Sequence, residues 1–231
     1  MFKKIRYRSV FILRKLLNSF LLGFQRILNV THNYQPNPFI NTGIDLNNSY
    51  ARYKDITINI EAENISLIDL GCNRGFFPLI FAKNHKLITS GVDHDWFELE
   101  YAKSMALKED IGEAVFFHSE IDLSFLHRMP SYDLVICTSI FHHWVKNFGE
   151  ETAFEMMEII ASKTKKYLVF ETGQSNETDT TWFKKLSFMG DDPESWIKDY
   201  LLSLGFSNVK PTGKYSKNLT PVKRTMFIGY K

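Results

Sequence analysis

The sequence predicts an α/β fold: a seven-stranded sheet, six strands parallel and one antiparallel, with helices on both faces. Three observations predict it. From residue 50 onward, short apolar runs alternate with segments of helical periodicity, which calls for a parallel sheet covered on two sides. A tight Gly-x-x-x-Gly turn, "LIDLGCNRGF" (67–76), follows the first apolar run. Near the end, "LLSLGFSNVKPTG" and "TMFIGYK" place two strands in succession with no helix between them, and strands joined that way run antiparallel.

The elements follow in order. Strands are expected at 65–70, 87–93, 114–118, 132–137 and 166–171, and helices at 50–61, 76–84, 95–108, 150–163 and 193–204. Gly205 breaks the last helix before the two closing strands. With 231 residues and 44% hydrophobic content, the chain can bury one substantial core. Residues 50–231 read as that domain, residues 31–49 as a turn-rich linker containing "HNYQPNPF", and residues 1–30 as a separate basic helix.

Charge is unevenly spread. Seven of the 28 Lys and Arg fall in the first 29 residues, and no acid precedes Asp45, so the remainder sets 21 bases against 26 acids. That mildly acidic body argues against a broad nucleic-acid footprint. In the front segment, Leu13, Leu16, Leu17, Phe20, Leu21, Phe24, Ile27 and Leu28 share helical spacing. Its longest charge-free run, Leu16 to Gln25, is about half the length of a bilayer crossing. Two readings stand: a helix lying on an anionic membrane surface, or one packed on the domain or a partner chain. Cys72 and Cys137 are too few for a disulfide framework, which fits a reduced, cytoplasmic setting, peripheral on the inner membrane face under the first reading. No cysteine spacing suits a structural zinc site, and no metal is expected.

In such a sheet a ligand sits at the carboxyl ends of the strands, and Asp69 to Gly75 is the first of these ends. Gly71 and Gly75 let the backbone turn and approach a ligand closely. Asn73 stands where such loops usually carry a middle glycine, and asparagine tolerates the left-handed conformation. Asp93 closes the second strand in "LITSGVDHD", about 20 residues on, where a carboxylate accepts hydrogen bonds from both ribose hydroxyls. A dinucleotide site explains these two features equally well, and a turn acid with a helix cap is the plainer alternative.

At the fourth strand's end, "SIFHHW" (139–144) offers His142 and His143, residues suited to proton transfer near neutrality. In an extended segment or a tight turn two adjacent histidines do not point at one spot, so one is expected in the site and the other to pack or bond the backbone. Glu171 ends the fifth strand in "LVFETG", where it orients a histidine, binds a sugar hydroxyl or caps the next loop. The connection "GKYSKNLTPVKR" (213–224) carries Lys214, Lys217, Lys223 and Arg224 and no acid. Read as a loop on the cofactor face, it is a basic patch for an anionic acceptor such as a phosphate, or simply a solvated loop.

The order of motifs, with "VFFHSEID" (115–122) and "YDLVICTSIFHHW" (132–144), resembles that of class I S-adenosylmethionine-dependent methyltransferases, which have a Rossmann-like sheet of this kind. The resemblance implies S-adenosylmethionine as cofactor. Asp69, Gly71, Asn73 and Gly75 would hold its methionine part, Asp93 its ribose, and Glu120 and Ile121, beside Asp122, its adenine. It also implies that Arg52 pairs with the methionine carboxylate, a solvated helix charge being the alternative. From Leu67 onward, "DLGCNRGFF", "YDLVICTSIFHHW", "DDPESWI" and "LTPVKRTMFI" together resemble the methyltransferase domain of O-antigen chain-terminating enzymes. That implies a saccharide or phosphosaccharide acceptor, with His142 or His143 as base and Lys223 and Arg224 beside an anionic acceptor. No kinase-like segment follows, so no companion kinase activity is expected. Two rivals are an RNA or tRNA methyltransferase using the basic front segment, and a non-catalytic docking module.

Overall fold

In the computed structural model, residues 35–39, 45, 47–217 and 220–231 are described. The expected front helix, residues 1–30, lies outside them. Seven strands form one sheet: β1 (Ser66–Leu70), β2 (Ile88–Asp93), β3 (Ala114–His118), β4 (Tyr132–Thr138), β5 (Thr164–Glu171), β6 (Asn208–Lys217) and β7 (Thr220–Tyr230). Their order is β3-β2-β1-β4-β5-β7-β6. Strands β1 to β5 pair in parallel, while β7 runs antiparallel to both β5 and β6, so six strands share one direction. The seven-strand arrangement read from the sequence is the one observed.

Helices α1 (Ser49–Thr57), α2 (Phe76–His85) and α3 (Trp96–Lys108) cover one side. Helices α4 (Leu123–Arg128), α5 (Phe141–Phe148), α6 (Glu150–Lys163) and α7 (Pro193–Ser203) cover the other, with a 3₁₀ segment at Phe183–Met189. The period-2 alternation of strands explains the two layers. In β4, Val135 and Cys137 face the α5–α6 layer, whereas Leu134 and Ile136 face α1 and α2. In β5, Leu168 and Phe170 face the first layer and Val169 the second, which turns Glu171 toward the α1 side. Both cysteines are buried, and burial is the main cause pushing their thiols up, so they pack as small apolar side chains.

Two short helices, α4 and α5, have no counterpart in the sequence reading. α5 starts inside the "SIFHHW" stretch, and a six- to eight-residue helix gives too few turns for periodicity to register. The connection 213–224 also differs from expectation. It is strand for most of its length, because β6 runs on to Lys217 and β7 begins at Thr220.

The chain passes from β1 outward to β2 and β3, then returns to place β4 on the other flank of β1. The switch point therefore lies between the carboxyl ends of β1 and β4, where open α/β sheets form a crevice. At the start of α2, Gly75 has φ 72°, and a Cβ there would lie 2.5 Å from the Phe116 ring and 2.9 Å from the Ala102 Cβ. Gly75→Ala thus meets left-handed strain and a fixed methyl group together. It is expected to cost about 2–4 kcal/mol, read as a lower urea midpoint.

Candidate functional site at the carboxyl ends of β1, β2 and β4

The turn after β1 is held in left-handed conformations at Gly71 (φ 78°), Asn73 (φ 48°) and Gly75 (φ 72°). Asparagine does occupy the left-handed position expected of it. The amides of Gly71 and Cys72 both donate to the Val92 carbonyl, at 2.9 and 3.0 Å, which ties the turn to the end of β2. The Asn73 amide donates to Asp93 Oδ2 at 2.7 Å, and the Asp95 amide to Asp93 Oδ1 at 2.9 Å. Asp93 is thereby fixed at both oxygens, and His94 Nδ1 stands 3.3 Å from Oδ1. Arg74 bonds Glu98 at 2.5 Å beneath the turn, and Gln35 Oε1 accepts the Phe76 amide at 3.4 Å.

Two adjoining cavities of about 320 Å³ each open above this turn. They share Gly71, Asp93, His94, Ile140 and His143. The first is polar, with Arg52, Asn47, Ser49 and Ser139 on its wall. The second is bounded by Glu120, Ile121, Trp144 and Phe148. Asp122, the neighbour of this pair, caps α4 by accepting the Phe125 amide at 2.7 Å. The structure thus brings Gly71, Asn73, Asp93, Glu120, Ile121, Arg52 and His143 around one crevice. Asp69 lies buried behind it, and burial, then the charge of Asp93, pushes its carboxyl well above the usual range.

The two histidines divide, on a helix and not on the extended segment or tight turn expected. In a helix, neighbours point about 100° apart. His142 is buried, and its Nδ1 accepts the Gly173 amide at 3.0 Å and lies 3.2 Å from the Thr172 hydroxyl. An Nδ1 that accepts leaves the proton on Nε2. His143 is exposed to both cavities. Partial desolvation of its ring by the neighbouring side chains, followed by the positive groups Lys146, Arg224 and His94, lowers its affinity for a proton below the ordinary 6.5. His143 is the imidazole of the pair that meets the crevice.

Glu171 is fully buried and pairs with Arg52, while Arg224 Nη1 stands 3.9 Å from its other oxygen. Ser139 donates to Glu171 Oε1 at 3.1 Å, and its amide donates to the Glu171 carbonyl at 2.7 Å. Arg52 is thus a buried ion-pair partner with one edge on the polar cavity, and not a solvated helix charge. Its Nε has no hydrogen-bond partner among the described residues. The Tyr215 ring stacks on its guanidinium at 4.8 Å.

One expectation needs correcting. Arg224 is buried, and its Nε and Nη2 grip Glu177 at 2.6 and 2.7 Å in a fork-to-fork pair. Lys214 is paired with Glu194 at 2.6 Å. Lys223 is exposed and, like Arg224, is not among the residues lining either cavity. The run of bases that read as a free patch is therefore partly neutralised, because its partners come from distant parts of the chain.

Ser139 and His94 line the cavities, and Trp182 and Glu177 stand behind the histidines, without having been singled out in the sequence. Glu177 sits in the polar run "QSNETDTT", which signals only a loop. Ser139 has φ 60°, a conformation uncommon for serine, held by its two bonds to Glu171. Among the described residues, no group of three His, Cys, Asp or Glu is placed to hold a metal ion, and no helix is long and apolar enough to cross a membrane.

No protein-family model and no curated protein matches the chain by sequence. Solved structures do match it by fold. The bifunctional kinase-methyltransferase WbdD superposes with a TM-score of 0.73 at 21% identity, over 88% of this chain and 44% of its own. Magnesium protoporphyrin IX methyltransferase (ChlM) from Synechocystis PCC 6803, solved with bound SAH, gives 0.62 at 19% identity over 95% and 98% of the two chains. An O-methyltransferase family protein from Burkholderia thailandensis gives 0.55 at 18% identity, over 78% and 55%. The chain spans less than half the length of WbdD. These likenesses show the fold: a Rossmann-like sheet shared with methyltransferases, as the sequence resemblance implied.

Proposed function

We propose that this chain is an S-adenosylmethionine-dependent methyltransferase that methylates an oxygen of a saccharide or phosphosaccharide. The observation that carries the cofactor reading is the paired cavity at the switch point, with Asp93 fixed by two amides where its halves meet. Asp93 would bind the ribose hydroxyls, Glu120 and Ile121 the adenine, and Gly71, Asn73, Gly75 and Arg52 the methionine part. Buried polar atoms without a hydrogen-bond partner among the described residues suit a polar ligand there: Asn73 Oδ1 and Arg52 Nε, on residues that line the first cavity, and Asp69 Oδ2 behind it. When bound, the cofactor supplies an electrophilic methyl group.

This chain's residues would do the rest. His143 takes up the acceptor hydroxyl proton, a task suited to an imidazole that is neutral at physiological pH. Glu171 and Ser139 hold the β4 and β5 ends in place beside it. Lys223 and Arg224 remain assigned to the acceptor end, Lys223 as a surface contact and Arg224 from behind the wall. A peripheral contact of residues 1–30 with the inner membrane face, in a cytoplasmic setting, fits an acceptor carried on a lipid.

A methyl-labelled cofactor offered with free glycosides, glycosyl phosphates and tRNA tests the acceptor class. Label is expected in the saccharides. Label confined to tRNA, falling steeply with salt, would replace this reading with the nucleic-acid one.

A further inference from the structure

We infer that Glu177 and Arg224 form a positioning pair that sets His143, so that the buried fork of Arg224 serves the chemistry through its neighbours and without meeting the acceptor. The inference rests on the proposed role of His143 as base.

Glu177 is fully buried and gathers donors from three places. Arg224 of β7 delivers Nε and Nη2, Trp182 delivers its indole N–H at 3.0 Å, and the Gln174 amide donates at 3.1 Å. One carboxylate thus ties the end of the sheet to the loop that follows β5. That loop is pressed on the histidines. The Trp182 ring centroid lies 4.5 Å from that of His142 and 5.6 Å from that of His143. The Gly173 amide bonds His142 Nδ1, and a Cβ on Gly173 would stand 2.6 Å from Trp182 Nε1 and 2.9 Å from His142 Cγ. His142 in turn lies 4.3 Å, centroid to centroid, from His143. Arg224 sits over Trp182 at 5.6 Å, completing a box of Arg224, Glu177, Trp182 and the two imidazoles.

Two consequences follow. The Trp182 wall sets where the His143 ring stands, since side chains in a close-packed interior transmit displacement. The pair also sets the local charge. His143 faces His142 and Lys146 from its own helix, Asp93, His94 and Asp95 across the cavity, and Arg224 with Glu177 behind Trp182. Removing one member of the pair therefore changes the field at His143 with a sign that depends on which member is removed.

The test is an NMR titration of the His143 imidazole in the full chain, without cofactor, for wild type, Glu177→Gln and Arg224→Met. Glu177→Gln leaves the guanidinium unbalanced, so His143 should titrate lower. Arg224→Met leaves the carboxylate unbalanced, so it should titrate higher. These shifts of opposite sign read the pair's charges at His143, whereas a merely structural pair would leave kcat of the folded variants unchanged. Both variants should lose about 100-fold in kcat with little change in cofactor KM, the scale of a misplacement of about 1 Å. If either single variant fails to fold, Glu177→Gln/Arg224→Met, which buries no unpaired charge, decides. It should titrate above wild type and remain slow. Folded variants in which His143 titrates as in wild type would overturn the inference. Cofactor binding measured on the same samples separates that result from failure of the methyltransferase reading, because the titration needs no cofactor.

Discussion

Glu171→Leu is expected to destabilise the fold by about 3–5 kcal/mol, the cost of removing one partner from a buried ion pair. Glu171 is fully buried at the end of β5, paired with Arg52, near Arg224 and bonded by Ser139. Arg224 keeps Glu177 when Glu171 is lost. Among the described residues Arg52 has no such second carboxylate, and its Nε already lacks a hydrogen-bond partner. The uncompensated charge on Arg52 should therefore account for most of the loss. Ser139 would lose its side-chain acceptor, while its amide bond to the Glu171 carbonyl survives the substitution. Urea unfolding of Glu171→Leu, Arg52→Met and the double variant checks this. The double variant should recover part of the loss, and strict additivity of the two single effects would show that the pair is not coupled.

His143→Ala is expected to lower methyl transfer to a hydroxyl acceptor by about 10²–10⁴-fold, the usual contribution of a positioned general base. The sign of the pH dependence follows from the direction of its shift. The free imidazole titrates below 6.5, so the base form prevails at neutral pH and activity should fall only as pH drops through that lowered value. The variant should lose this acid limb together with its rate. His142→Ala should behave differently, because His142 is buried and bonded to the Gly173 amide, and its loss should appear mainly as reduced stability. A phosphate oxygen needs no base at neutral pH. Little loss in His143→Ala would therefore point to a phosphate acceptor.

Much of the architecture was legible because it rests on local patterns. Alternating apolar strands and periodic helices dictate the parallel core, and two strands without an intervening helix dictate the antiparallel end. Asn73 could be read as a stand-in for glycine because few other side chains tolerate its φ of 48°. Asp93 was legible from its place after an apolar run and its distance from the turn. What escaped is what depends on pairing across the chain. Arg224 reads as one base in a basic run, whereas its carboxylate partner lies 47 residues earlier in an unremarkable polar loop. Lys214 meets Glu194 from the start of α7 in the same way. Charge counts along a sequence do not say which charges are already matched. The division between His142 and His143 was expected in kind, but its direction was set by α5, a helix too short to leave a periodic signature.

The crevice around Asp93 is proposed to hold S-adenosylmethionine. Calorimetric titration of the purified chain with S-adenosylmethionine and with S-adenosylhomocysteine, alongside Asp93→Ala, tests it most directly. The wild type is expected to bind both in the micromolar range, and the variant to lose about 100-fold or more as a buried acceptor for two hydroxyls disappears. Folded wild-type protein that takes up neither ligand would contradict it, and would turn attention to another nucleotide or to a docking role for the fold.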